Sequence, residues 1–294
     1  MERGHDIMKL SIGYLYPDLF NLYGDRGNVK CLEKRLQWRG IEAEIHPILC
    51  GDRINFSGLD MICWGGGPDR GQEIISGYLK AIRHDFRAYV EDGGVVLAVC
   101  AAFQLLGRTY TMREQVVEGL GILDIHTQWQ PARLVGNIIL QSPYFKAAIV
   151  GFENHAGRTD IGTYPPLGKV VFGHGNTEQS GYEGIVYKNL IGTYLHGPLL
   201  PKNPEVCDGL LERALKRKYG DQVSLGELPD ISEHRANHYM VERCRSAEEK
   251  HTAIHFGAFG FGNSRKAGKD NKRESANTCR KQMDRTADGE KYDE

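Results

Sequence analysis

No apolar run in this 294-residue chain reaches the roughly 18 residues that a membrane-spanning helix needs. The first residues, MERGHDIMKLSIGYLYP, lack the apolar segment of a secretory leader. We read residues 1–7 as a short extension and expect a cytoplasmic protein. A net charge of −1 gives bulk electrostatics no preference for nucleic acid or an anionic membrane. The seven cysteines (Cys31, Cys50, Cys63, Cys100, Cys207, Cys244 and Cys279) are odd in number and contain no C-x-x-C pair. That argues against a disulfide framework and a zinc–thiolate site, and fits a reducing compartment. His234 and His238 lie four apart, as do His251 and His255, but no carboxylate or thiol cluster accompanies either pair, so no metal site is expected. The chain has no G-x-x-x-x-G-K-[ST] phosphate loop and no G-x-G-x-x-G after its first strand. It is therefore not expected to hydrolyse ATP or bind a dinucleotide by itself.

Alternating strand and helix signals fill the first 125 residues. LSIGYLY (10–16), IEAEIHPI (41–48), LDMICWGGG (59–67) and VVLAV (95–99) read as strands. NVKCLEKRLQWRG (28–40), with Asn28 as candidate N-cap, residues 72–90 and AAFQLL (101–106) read as helices. Such alternation implies a mostly parallel sheet with helices on both faces. The second half adds short strand signals such as NIILQS, AAIVGFENH, KVVFGHGN, GIVYKN and IGTYLHG. A helix follows at 204–220 and a weaker one at 231–245. The expected organisation is an α/β domain over 8–225, a helical segment over 226–248 and a polar, aperiodic tail over 249–294 that cannot bury much apolar surface.

Cys100 ends a buried strand where a helix begins, with small residues, Ala98 and Ala102, two positions to either side. A thiol at such a turn stands clear of the backbone and meets the amides and partial positive charge of a helix N-terminus. The same context also fits a core cysteine, and the local spacing leaves both readings open. W-G-G-G-P-D (64–69) follows another strand end, where consecutive glycines can point several amides into one concavity or simply make a tight turn. His196, in GTYLHGP, ends an apolar strand before a Gly-Pro turn and is the histidine best placed to serve a thiol, or else a surface loop residue.

Taken together, YPDLFNLYGDRGN (16–28), WGGGPDRGQ (64–72), CAAFQLLG (100–107), EGLGILD (118–124), RLVGN (133–137), GFENHAGRT (151–159) and GTYLHGPLLPKNP (192–204) resemble class I glutamine amidotransferases of the cobyric-acid-synthase-like branch. The resemblance covers residues 8–245 and implies a flavodoxin-like α/β fold with added strands. It implies that Cys100 attacks the side-chain amide of L-glutamine, that His196 acts as base and then acid, and that amides of Gly66, Gly67 and Ala101 hold the oxyanion. It further implies that Gln104 lines the substrate site, that Arg133 binds the glutamine α-carboxylate, and that Asn154 and His155 lie in a signature loop. Many members carry a glutamate two residues after the histidine. Here that position is Pro198, and Asp25 is the candidate to orient His196, the alternative being a turn or helix-cap residue. Within the branch the chain looks more like glutaminase subunits whose ATP and Mg sit on a separate Mur-ligase-like (MurT-type) partner. That likeness implies amidation of the D-glutamate in the lipid II stem peptide, at the inner membrane face. A different acceptor of the cobyric-acid type, or a catalytically degenerate binding module, are the other readings.

Overall fold

The computed structural model describes residues 7–112 and 115–259, without the side chains of Tyr23 and of residues 247–259. The chain divides into Met1–Glu248, which holds both sheets, and Glu249–Glu294. The first sheet contains β1 (Lys9–Leu15), β2 (Glu42–Ile48), β3 (Met61–Trp64), β4 (Val95–Val99), β11 (Ile185–Tyr187) and β12 (Leu190–Thr193), in the order β11-β12-β4-β3-β1-β2. All neighbours are parallel except the edge pair β11 and β12. The helices α1 (Arg26–Gln37) and α2 (Asp69–Glu91) make the crossovers β1–β2 and β3–β4. Every residue of β3, β4 and β12 is buried. That is why these strands read as unbroken apolar runs rather than as alternating ones.

The added strands mostly build a second sheet instead of widening the first. It comprises β5 (Thr109–Met112), β6 (Gln115–Glu118), β7 (His126–Gln141), β8 (Ile149–Asp160), β9 (Gly168–Phe172) and β10 (Tyr182–Glu183). Pairing is antiparallel except between β5 and β7. The β7–β8 ladder shifts register between Trp129 and Leu134, so a stretch of β7 that includes Arg133 bulges out of the pairing. Three helices complete the fold: α3 (Ala101–Leu106), α4 (Pro204–Tyr219) and α5 (Ile231–Phe259). Through Val241 and Cys244, α5 packs on Ile139 and Val150 of the second sheet. It runs on past the boundary expected at residue 248. Residues 1–6, Cys279 and the tail beyond 259 lie outside the described residues, as do the side chains of His251 and His255.

One face of α1 is stitched to the segment running from His196 into α4. Gly27 lies so close to Pro198 that an added Cβ would collide with its ring. Asn28 is not the helix cap. It sits inside the first turn, where its Oδ1 accepts the Leu200 amide at 2.9 Å. Cys31 and Cys207 place their sulfurs 3.8 Å apart. The buried Arg35 guanidinium donates to both Asp208 and Asp230 at 2.6–2.7 Å.

Candidate active site

In an open α/β sheet, side chains gather outside the carboxyl ends of the parallel strands. Here four adjacent strands, β12, β4, β3 and β1, are followed by His196, Cys100, the Gly65–Gly67 turn and Asp25. The sheet order therefore sets these groups side by side although they are far apart in sequence.

Cys100 has φ 53° and ψ −106°, a conformation that L-residues rarely adopt. It is held there from both sides. Its amide donates to Thr193 O at 2.7 Å, and its carbonyl accepts the Gln104 amide at 3.0 Å. The sharp turn lets the thiol leave the strand at the start of α3. His196 is fully buried and is fixed to β8 by reciprocal backbone bonds with Phe152. Its Nδ1 stands 3.6 Å from Asp25 Oδ1. The other oxygen, Asp25 Oδ2, accepts the Gly66 amide at 2.6 Å. Asp25 occupies the N-cap position of α1 yet makes no side-chain cap bond. Its carboxylate is turned to the site instead.

Gly66 is the point on which the three groups converge. A Cβ there would lie 2.8 Å from His196 Cε1, 3.2 Å from Asp25 Oδ2 and 3.2 Å from the Cys100 Cβ. Only glycine fits without displacing them. Burial works against a charged His196, but the adjoining Cys100 and Asp25 outweigh it, and the imidazole pKa is pushed up to about 10.

The expected amide donors do not all fare alike. The Gly66 N–H is committed to Asp25, so it is not open to an oxyanion. The Gly67 and Ala101 amides donate to no acceptor among the described residues; Gly67 lines the cavity in front of Cys100, and Ala101 follows Cys100 as the first residue of α3. This cavity, of about 290 Å³, is lined by Gly67, Asp69, Gln72, Cys100, Gln104 and Arg133 among others. Gln104 is buried, and its Nε2 donates to Tyr194 Oη at 3.2 Å. Arg133 donates to Asn154 through Nε at 2.7 Å and through Nη2, to the carbonyl, at 2.8 Å. Asn154 thus sets the angle of the guanidinium. His155 stacks flat on Tyr194, with ring centroids 3.7 Å apart, and burial lowers its pKa.

Sequence reasoning missed Asp69, Gln72 and Tyr110 as lining residues. The first two lie in WGGGPDRGQ, where only the glycines received a role; a D-x-x-Q pair at a helix start, on one face, was the available signal. Glu183, on β10, was missed as well. It is fully buried and accepts the Tyr194 amide at 2.6 Å and the Thr193 hydroxyl at 3.0 Å, just upstream of His196. Among the described residues no group of three or more His, Cys, Asp or Glu side chains is placed to hold a metal ion, and no helix is long and apolar enough to cross a membrane.

Residues 11–204 match the CobB/CobQ-like glutamine amidotransferase domain. The GatD subunit of lipid II isoglutaminyl synthase (glutamine-hydrolyzing) of Staphylococcus aureus (strain N315) is 42% identical over 238 residues, 80% of this chain and 96% of its own length. The GatD subunit of Streptococcus pneumoniae (strain ATCC BAA-255 / R6) is 38% identical over 226 residues, 76% of this chain and 87% of its own. Cobyric acid synthase of Listeria monocytogenes serovar 1/2a (strain ATCC BAA-679 / EGD-e) is 30% identical over 212 residues, 68% of this chain but 40% of its own length.

Proposed function

Because this chain belongs to the CobB/CobQ-like glutamine amidotransferase family, we propose that it is the glutamine-hydrolysing subunit of a lipid II isoglutaminyl synthase, with Cys100 as its nucleophile. The observation that carries the assignment of the site is the convergence of Cys100, His196 and Asp25 on the one glycine, Gly66. The Cys100 sulfur attacks the side-chain amide carbon of glutamine. The oxyanion that forms accepts hydrogen bonds from the Gly67 and Ala101 amides. His196, charged at neutral pH by its raised pKa, passes its proton to the leaving nitrogen, and ammonia departs. Water, deprotonated by the now neutral imidazole, attacks the glutamyl thioester, and glutamate leaves as the thiol regains a proton. Asp25 keeps Nδ1 of the imidazole facing it and favours the charged form. Gln104 borders the substrate, and Arg133 binds its α-carboxylate.

Ammonia is consumed by a partner, which we take to be Mur-ligase-like (MurT-type) and to carry ATP and Mg, since this sequence has no phosphate loop. The acceptor is then the D-glutamate of the lipid II stem peptide, reached through the partner at the inner membrane face. Coverage favours this over a corrin acceptor: the match spans 96% of the S. aureus subunit and 40% of the cobyric acid synthase. Glutamate release by the assembled enzyme tests the proposal. Cys100→Ser should abolish it, together with labelling by a glutamine-analogue electrophile. Retained hydrolysis in that variant would overturn the assignment.

A further inference from the structure

Free glutamine is a zwitterion, and Arg133 accounts for only one of its two charges. Building on the glutaminase reading, we propose that Asp69 and Gln72 form the subsite for the α-ammonium group of the substrate, in the cavity that Arg133 also lines.

Charge is the first support. Asp69 is the one carboxylate among the residues lining the cavity, and Arg133 the one permanent cation. Asp69 makes no ion pair or hydrogen bond among the described residues. It is the first residue of α2. A carboxylate with no cation of its own is thus presented to a cavity whose opposite charge is already oriented by Asn154.

Gln72 supplies an independent observation. It lies three residues further along α2, on the same face as Asp69. It lines the same cavity yet is only 2% exposed, and its Oε1 has no hydrogen-bond partner. A buried acceptor without a donor is costly, and native proteins seldom leave one unmatched. An ammonium group brings three N–H donors. Two of them satisfy Gln72 Oε1 and the Asp69 carboxylate, each bond being charge-assisted.

Tyr110 lines the same cavity. Burial raises the pKa of its phenol, Asp69 and Cys100 raise it further, and Arg133 opposes them. Both charges and the nucleophile therefore lie within electrostatic reach of one ring.

The subsite explains how the site would tell glutamine from an amide that lacks the amino group. A site built to pair a polar group rejects an analogue without it, because its own groups are then left unpaired. The test compares L-glutamine with glutaramate, which lacks only the α-ammonium group, using the assembled enzyme. Wild type should prefer glutamine. Asp69→Asn should raise KM for glutamine roughly 10- to 50-fold, with kcat within about threefold, while KM for glutaramate stays level or falls because no unpaired carboxylate faces it, so that the preference collapses. Gln72→Met, which keeps the volume without the acceptor, should raise the same KM about three- to tenfold. Asp69→Glu should recover part of the preference. Equal losses on both substrates, or no change on either, would overturn the subsite while leaving the glutaminase reading intact. Failure of wild type to release glutamate from glutamine would instead refute that reading, and the subsite with it.

Discussion

The substitution Gly66→Ala isolates what the convergence of three side chains on one glycine is worth. The new methyl would begin 2.8 Å from His196 Cε1. Carbon atoms settle at about 3.5–4.0 Å, so the imidazole must retreat by roughly 0.7 Å or more. It has little freedom to do so, because His196 is fully buried and its backbone is bonded to Phe152 in both directions. Asp25 is just as confined, since its Oδ2 stays with the Gly66 amide at 2.6 Å while the methyl presses on it from 3.2 Å. A misplacement approaching 1 Å in a reacting constellation costs up to about 100-fold in rate. We therefore expect kcat to fall roughly 10- to 100-fold, which is about 1.4–2.7 kcal/mol of barrier. KM should change little, because Gly66 does not line the substrate cavity. Gly66 is not among the residues with positive φ, so alanine suits the backbone and the variant should fold. Gly77→Ala serves as the counterpart. It lies inside α2 with nothing within 4 Å of the added Cβ, and should stabilise the protein by about 0.5–1 kcal/mol without touching activity. Steady-state glutamate release and thermal melts of both variants decide the matter. A Gly66→Ala enzyme within twofold of wild type in kcat would refute the reasoning.

Asp25→Asn keeps an acceptor for the Gly66 amide but removes the charge facing His196. The imidazole pKa should drop from about 10, so the alkaline limb of the pH–rate profile moves to lower pH and kcat/KM falls roughly 10- to 100-fold. An unmoved limb would show that Asp25 does not act on His196. Glu183 makes a separate prediction about stability. Burial, only partly offset by its bonds to Tyr194 and Thr193, raises its pKa from 4.5 to about 8. Between those values the native state keeps a proton that the unfolded chain has lost, so this group lowers stability progressively as pH rises across the window. The change is on the order of a few kcal/mol. Glu183→Gln cannot ionise. It should flatten the decline in melting temperature from pH 5 to pH 9 and be the more stable form at the upper end. Parallel curves for the two proteins would contradict the protonation assigned here.

The first half of the chain was largely legible because its signals are local. VVLAV is buried on both faces of a parallel sheet, and the observed β4 and α3 span 95–99 and 101–106, as read from the apolar run and the small residues that follow it. The second half was legible as strands but not as sheets. Pairing partners are not written into a strand's own residues, so nothing local announced that β7 would run parallel to β5 and antiparallel to β8. Nor did anything announce that β11 and β12 would return to the first sheet. The same limit applies to side chains. Cys100 and His196 stood out by their positions at strand ends. Asp25 remained suspended between cap and partner, because only the tertiary fold decides where a carboxylate beside a helix start will point. Asp69 and Gln72 went unnoticed because a helix surface and a cavity wall have the same sequence pattern until the facing element is known.

The proline at 198 gains a physical account from the seam along α1. Where related amidotransferases carry a glutamate, this chain places a rigid ring on Gly27, at a distance that no side chain on residue 27 could tolerate. That contact sets the first turn of α1 against the segment immediately after His196. From there the helix runs onward through Asn28 to Leu200, Cys31 to Cys207 and Arg35 to Asp208. Its N-cap residue, Asp25, is thereby brought to within 3.6 Å of the imidazole Nδ1. The carboxylate facing His196 comes from the loop after β1, and the position two residues beyond the histidine serves the docking of the helix that brings it. Pro198 and Gly27 therefore depend on one another. A side chain on residue 27 would have to push Pro198, and with it the segment just after His196, away from the helix that brings Asp25.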